Sequence, residues 1–265
     1  MAHDERPMTQ VCVLASGSKG NAVYVSNGET AILVDAGLSG SEIERRLRSR
    51  DIYPDSLDAI VVSHEHRDHI QGVGVLSRRF GLPVHMTAPT MAVAEARLGP
   101  LHKAMTFTRG ASFHIGTLML HPFSLSHDAV DPVGFTIQNG DTKLGIATDL
   151  GIATQLVCHH LEGCRLMVLE ANHDVRMLQE GPYPWEVKQR ITSRLGHLSN
   201  EASRDLLEKV CHEGLDHVIV AHMSETNNDP DRALSVVQET TSHDGIQFSL
   251  ATQHSAGDMI TLDHD

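Results

Sequence analysis

A run of metal-ligand side chains directly follows an apolar segment of this chain. Residues 59–62 have the composition of a buried strand, and His64-Glu65-His66-Arg67-Asp68-His69 comes straight after them. Side chains two residues apart at the end of a strand point the same way, so His64 and His66 can bind one ion. A following helix would turn Asp68 and His69 towards a second ion, roughly 3.5–4 Å from the first. The alternative, a solvated polar loop, suits a lone histidine pair better than this strand-end pattern.

The motif H-x-H-x-D-H resembles the signature of the metallo-β-lactamase fold superfamily. The chain is similar in particular to the bacterial WalJ (YycJ, VicX) group of metallo-hydrolases, and the similarity covers nearly all of it. The further segments that carry this resemblance are Ser16-Gly17-Ser18-Lys19-Gly20-Asn21, Leu33-Val34-Asp35-Ala36-Gly37, Thr148-Asp149-Leu150-Gly151, Glu170-Ala171-Asn172-His173-Asp174, Gly196-His197-Leu198-Ser199-Asn200 and Ala221-His222-Met223-Ser224-Glu225.

The pattern of predicted strands and helices fits an αββα sandwich of class α/β (α+β), with two mixed β-sheets flanked by helices. No linker or low-complexity run interrupts the sequence, so we expect one domain over residues 1–265. Larger nucleases of the superfamily carry an inserted clamp domain after the bridging aspartate, and residues 150–169 leave no room for one. Locally, Ser41-Glu42-Ile43-Glu44 matches a capping box that opens a helix through Arg50, and residues 70–80 predict another helix.

Three more ligand-type side chains follow predicted strands: His127, Asp149 and His222. Each alone could be a core or capping group, but together they complete a set of seven. The resemblance implies that His64, His66 and His127 hold one metal, that Asp68, His69 and His222 hold the other, and that Asp149 bridges them. Imidazole and carboxylate ligands admit Zn²⁺ or Mn²⁺, and Fe is possible.

The resemblance also implies catalytic residues. A water or hydroxide shared by two such metals becomes a nucleophile near neutral pH and would attack phosphorus. Asp68 is predicted to be catalytic as well as a ligand, and Glu170 would orient His197, which would protonate the departing oxygen as a general acid. The alternative for His197 is an ordinary residue at a helix end. Asp35 is expected either to support a ligating histidine or to cap the turn at Gly37.

The leading functional hypothesis is a phosphodiesterase acting on nucleic acid, specifically a 5′→3′ exonuclease on DNA. The net charge of −13 opposes a protein that coats nucleic acid, although a local stripe of arginines could form a track. That stripe comprises Arg45, Arg46, Arg48, Arg50, Arg67, Arg78 and Arg79. The alternative is a small-molecule metallo-hydrolase that cleaves a cyclic or small phosphodiester, a thioester or a lactone. A non-catalytic regulator fits poorly with a complete ligand set.

The location of the protein is predicted from its apolar segments and its cysteines. No stretch approaches the ~20 apolar residues that span a bilayer, and residues 1–7 are charged, so we expect a cytoplasmic protein without membrane contact. Four cysteines in a chain of this length are expected to be reduced thiols. A second metal site at Cys158 and Cys164 is disfavoured because their spacing is not that of zinc ligands.

Overall fold

The computed structural model describes residues 8–239 and 245–263, which form two β-sheets of seven strands each with helices on their outer faces. The first sheet has, in spatial order, β14 (Ile260–Leu262), β1 (Thr9–Ala15), β2 (Ala22–Ser26), β3 (Ala31–Val34), β4 (Ala59–Val61), β5 (Pro83–Thr87) and β6 (Lys103–Phe107). The second has β13 (Gln247–Leu250), β12 (His217–Ala221), β11 (Leu166–Glu170), β10 (Thr142–Ala147), β9 (Val133–Asn139), β8 (Leu118–Ser124) and β7 (Phe113–Ile115).

The helices divide between the two halves of the chain. The first half has α1 (Gly40–Arg48), α2 (Arg67–Ile70), α3 (Val73–Phe80) and α4 (Ala88–Leu98), with a 3-10 turn at Pro54–Ser56. The second half has α5 (Gln155–Leu161), α6 (Val175–Glu180), α7 (Trp185–Ile191), α8 (Asn200–Val210) and α9 (Pro230–Gln238).

Each sheet is mixed, with an antiparallel part followed by a parallel part. Strands β3 to β6 run parallel in the first sheet, and β10 to β13 run parallel in the second. The carboxyl ends of parallel strands meet at one edge of a sheet, where ligands bind in open α/β folds. The loops that leave these strands therefore gather the polar side chains.

Alternating side chains fill three apolar layers. In β1, Val11 and Val13 pack between the two sheets, whereas Cys12 and Leu14 pack under the helices of the first sheet. A third cluster lies between the second sheet and α5, α8 and α9. Period-two alternation is what a strand with both faces buried requires. The predicted fold class, two mixed sheets flanked by helices, is confirmed.

Two local predictions were wrong. The cap of α1 is Ser39 rather than Ser41, since Ser39 Oγ accepts a hydrogen bond from the Glu42 N–H (3.3 Å), and the helix ends at Arg48. The helix expected over residues 70–80 is broken at Gly72, between α2 and α3. There the Gly72 N–H donates to the Ala36 carbonyl (2.7 Å), and a Cβ would lie 2.5 Å from the Leu38 carbonyl oxygen.

The segment between β10 and β11 contains helix α5, and the organisation as one domain without a clamp stays a prediction. Among the described residues, every helix is too short or too polar to cross a bilayer. Residues 1–7, on which the expected cytoplasmic location partly depends, lie outside the described residues.

Candidate metal centre

The predicted ligands come together at the edge where strands of both sheets end. His64 to His69 follow β4, His127 follows β8, Asp149 follows β10, and His222 follows β12. Among the described residues, four non-glycine residues have positive φ, and three of them are Asp35 (61°), Asp149 (61°) and His222 (53°). Such strained conformations persist where surrounding contacts enforce them, and they cluster at functional sites. The sharp turns aim these side chains back across the strand ends.

One group of three imidazoles consists of His64, His66 and His127, whose ligand-type nitrogen atoms lie within 4.8 Å of one another. His127 Nε2 is 3.3 Å from His66 Nδ1. The His127 Nδ1–H donates to the Gly196 carbonyl (3.2 Å), which turns Nε2 towards the group. This geometry leaves one nitrogen of His127 free to bind an ion.

A second group consists of Asp68, His69 and His222, again with ligand atoms within 4.8 Å. Asp149 lies between the two groups. Its Oδ2 is 3.3 Å from His69 Nε2, while its Oδ1 is 3.4 Å from His222 Nε2 and 3.7 Å from His127 Nε2. A carboxylate in that position can contact ions held by either group.

Carboxylates outside the two groups fix the orientation of the imidazoles. Asp35 Oδ2 accepts a hydrogen bond from His69 Nδ1 (2.8 Å), and Asp35 also binds the backbone N–H and hydroxyl of Ser63 (2.8 and 2.7 Å). Glu170 Oε1 accepts from His222 Nδ1 (2.8 Å). Hydrogen bonds of this kind fix the tautomer of a metal-binding histidine.

Several ligand atoms are buried without hydrogen bonds. His64 Nε2 and His222 Nε2 are enclosed and have no hydrogen-bond partner among the described residues, and Asp149 Oδ2, 3.3 Å from His69 Nε2, is enclosed as well. A buried polar atom without a partner is destabilising, so its presence needs an explanation such as an ion. Imidazole nitrogen and carboxylate oxygen are ligands of divalent metals. The donor set therefore fits divalent metal ions.

The electrostatics favour the metal-binding form of two of these ligands, whereas nearby carboxylates outweigh burial and raise the pKa of His69 and of His222, the latter to about 9. Burial would raise the pKa of Asp149, but the neighbouring His222 and His69 hold it well below its ordinary value. Burial lowers the pKa of His64 well below its ordinary range, which favours a neutral imidazole. An ionised carboxylate and a neutral imidazole are the forms that bind metal ions.

Glu170 also contacts His197. The His197 Nδ1–H donates to Glu170 Oε1 (2.8 Å), the same oxygen that accepts from His222. Burial lowers the pKa of His197, but the Glu170 carboxylate outweighs that effect and raises it. The His197 side chain is 20% exposed, so the other ring nitrogen can meet a molecule at the edge. Glu170 is therefore hydrogen-bonded both to His222, a predicted metal ligand, and to His197, the predicted general acid.

The loop over residues 16–21 supports the cluster in a way that the sequence did not reveal. Ser16 Oγ accepts a hydrogen bond from the His222 N–H (2.7 Å), and the Asn21 amide nitrogen lies 3.1 Å from His69 Nε2. The Asn21 N–H donates to the Asp68 carbonyl (2.8 Å). A Cβ at Gly37 would lie 1.6 Å from that same carbonyl oxygen, so only glycine fits. In the sequence, the glycines of this loop and Gly37 were the feature that could have indicated such close packing.

Other residues considered from the sequence lie outside the centre. Asp174 caps α6 by accepting from the Met177 N–H (2.8 Å), and His173 is buried beside it. The groups of potential metal ligands found in residues 8–239 and 245–263 include neither Cys158 nor Cys164. All four cysteines are free thiols.

Comparison with known proteins gives consistent results. A family model described as "Beta-lactamase superfamily domain" matches residues 30–229. The chain is 37% identical over 235 residues to exodeoxyribonuclease YycJ of Bacillus anthracis, which covers 88% of this chain and 89% of that protein. It is 37% identical over 220 residues to exodeoxyribonuclease WalJ of Streptococcus pneumoniae serotype 2 (strain D39), which covers 82% of each. The metallo-β-lactamase fold protein YhfI of Bacillus subtilis superposes with a TM-score of 0.76 at 17% identity, over 94% of this chain and 99% of that one, a likeness of fold.

Proposed function

Because this chain belongs to the β-lactamase superfamily and has the metallo-β-lactamase fold, we propose that it is a metal-dependent phosphodiesterase, a 5′→3′ exonuclease of DNA. Its relatives named exodeoxyribonuclease align over most of both chains, which supports the same class of substrate. We propose a cytoplasmic location on the same basis, with residues 1–265 forming one domain that lacks an inserted clamp.

We propose two divalent ions per chain, Zn²⁺ or Mn²⁺ with Fe as a possibility. We assign the donors as the family resemblance implies: His64, His66 and His127 for one ion, Asp68, His69 and His222 for the other, and Asp149 for both. The support is the closeness of the ligand atoms within each group and the buried atoms that otherwise have no partner.

The observation that carries the phosphodiesterase proposal is the Glu170–His197 pair beside the cluster. A ligand set alone would suit any hydrolase of this fold, but an alkoxide leaving group needs a proton. Glu170 fixes His197 by its Nδ1, so His197 can donate a proton from Nε2 to the departing oxygen. The bound ions would supply positive charge at the phosphate and lower the pKa of water. Asp68, whose side chain is 24% exposed, accepts a proton from the attacking water.

The test compares linear DNA labelled at either end with a closed circle, in the presence of Mn²⁺ or Zn²⁺. We expect degradation of the linear form from its 5′ end while the circle stays intact. A His64→Ala variant that has lost metal is the control for contaminating nucleases.

The acidic net charge of −13 favours a second candidate, a hydrolase of small phosphodiesters. This second candidate is supported if neither the linear nor the circular DNA is cut while bis-p-nitrophenyl phosphate is turned over rapidly. Turnover of a thioester or a lactone in place of the phosphodiester would rule out phosphodiester chemistry altogether.

A further inference from the structure

Most arginines of the stripe predicted from the sequence are engaged within the chain. Six of the seven in the predicted stripe are held by Glu42 (Arg45, Arg46), Glu44 (Arg48, Arg79), Asp258 (Arg50) or the carbonyls of Leu98 and Pro100 (Arg78). Their guanidinium groups are thus already paired with charges or carbonyl oxygens. The stripe as a whole does not form a free positive track.

Arg67 differs from the other six. It is exposed at the first residue of α2, and no carboxylate in residues 8–239 or 245–263 lies within ion-pair distance of it. It lines a cavity of about 320 Å³ together with Ser18, Lys19, Asp68 and Gln71. Asp68, a proposed metal ligand, forms part of the wall of this cavity, which places the cavity next to the metal centre.

We propose that this cavity is a phosphate subsite for the DNA strand, in which Arg67 and Lys19 bind the backbone phosphate next to the one that is cleaved. A guanidinium group binds two phosphate oxygens in its planar fork, and an ammonium group adds a compact positive charge. The hydroxyl of Ser18 and the amide of Gln71 offer neutral donors in the same cavity. The subsite deepens the proposed function and rests on it.

The charge distribution explains why two cations suffice. Because the chain has a net charge of −13, most of its surface repels a DNA backbone. An unpaired cation beside the metal centre therefore determines where the DNA strand enters. Lys19 pairs with Glu225, but both side chains are exposed (63% and 33%). Exposed pairs contribute little to stability, so Lys19 can exchange Glu225 for a phosphate.

The experiment uses the metal-loaded enzyme and the variants Arg67→Gln and Lys19→Gln, with Arg45→Gln as the matched control. Arg45 is also an exposed arginine, but Glu42 holds it. For the first two variants we expect an increase of about ten-fold in KM for DNA. The slope of log K against log [salt] for DNA binding, measured in a His197→Ala background that slows cleavage, should become shallower by about 0.7–0.9 per cation removed. Metal content and turnover of bis-p-nitrophenyl phosphate should stay at the level of the enzyme without the substitution.

Each other outcome has a separate meaning. If the unsubstituted enzyme degrades DNA and the Arg67 and Lys19 variants behave like Arg45→Gln, the subsite is wrong and the exonuclease stands. If Arg67→Gln loses metal or small-substrate turnover in parallel with DNA cleavage, Arg67 supports the ligand loop and the subsite is again wrong. If the unsubstituted enzyme turns over only the small phosphodiester, the proposed function and the subsite both fail.

Discussion

At the scale of single residues, one oxygen atom of Glu170 has two partners. Glu170 Oε1 accepts hydrogen bonds from His197 and from His222, at 2.8 Å each. The sequence suggested a role for Glu170 in chemistry alone, separate from metal retention. The shared oxygen instead indicates that Glu170 orients a proposed ligand as well as a proposed acid.

We therefore expect different results from substitutions at the two ends of this pair. His197→Ala should keep its metal and lose roughly 10²–10⁴-fold in rate, because only the positioned acid is removed. Glu170→Gln should also weaken metal binding by about 10–100-fold, because His222 loses its orienting carboxylate. Metal content by elemental analysis and single-turnover rates separate the two effects. Metal loss in His197→Ala would instead make His197 a ligand.

The proposed ligands could be read from the sequence because strand-end positions and residue types coincide. Their supporting contacts could not, because the partners are distant in the chain. Ser16 meets His222 only after both sheets have formed, and nothing local to either residue marks the pair. The positive φ of Asp35 is likewise a product of packing, although its sequence, before Ala36-Gly37, is compatible with a turn.

At the scale of elements, α1 is anchored by a buried arginine. Arg46 donates from its guanidinium group to the Leu14 carbonyl (2.8 Å), the Gln253 carbonyl (3.0 Å) and Glu42 (2.7 Å). Gln253 in turn accepts from the Lys19 N–H (2.7 Å). The helix is thereby connected to the loop that supports the metal centre. The capping-box match predicted the helix but could not reveal this connection, nor did the sequence reveal the break at Gly72.

This anchor predicts a dependence of stability on pH. Hydrogen bonds from Arg45 and Arg46 lower the pKa of Glu42 from 4.5 to about 2, although its partial burial acts to raise that pKa. A carboxyl group with a lowered pKa stabilises the fold above its unfolded pKa, and that stability is lost as the pH falls from about 4.5 towards 2. Glu42→Gln should lower the free energy of unfolding by about 1 kcal/mol at pH 7.

The difference between Glu42→Gln and the unsubstituted protein should shrink at pH 3.5 in urea titrations of chelator-treated protein. Chelation removes any contribution of metal release at acid pH. Glu95→Gln, at an exposed position of α4, is the control. A difference that stays constant between pH 7 and pH 3.5 would contradict the assigned ion pair.

At the scale of the whole molecule, the two sheets share the proposed metal centre. His64, His66, Asp68 and His69 follow a strand of the first sheet, while His127, Asp149 and His222 follow strands of the second. An ion bound by residues of both sheets connects the halves. The layered fold was predictable because apolar alternation and the succession of strands and helices along the chain can be read locally and resemble a known family, whereas the way that the sheet edges meet cannot.

Metal removal should consequently lower the stability of the entire domain. A ligand at 100 times its Kd stabilises the folded state by about 2.7 kcal/mol per site. With two sites we expect chelation to lower Tm by about 10–20 °C in scanning calorimetry and re-addition of metal to restore it. His217→Asn, on β12 but outside the ligand groups, should respond to chelation as the unsubstituted protein does. An unchanged Tm on chelation would speak against an ion that joins the sheets.

The pairing of β1 has a consequence for synthesis. Thr9 to Val11 lie beside Ile260 to Leu262, residues at opposite ends of the described chain. On a ribosome, which makes the amino end first, that flank of β1 has no native partner until residues 260–262 have been translated. A strand edge left open is a template for pairing with another chain. The nascent chain therefore keeps this flank of β1 open until residues 260–262 emerge, and slower elongation would lengthen the time during which a chaperone can protect it.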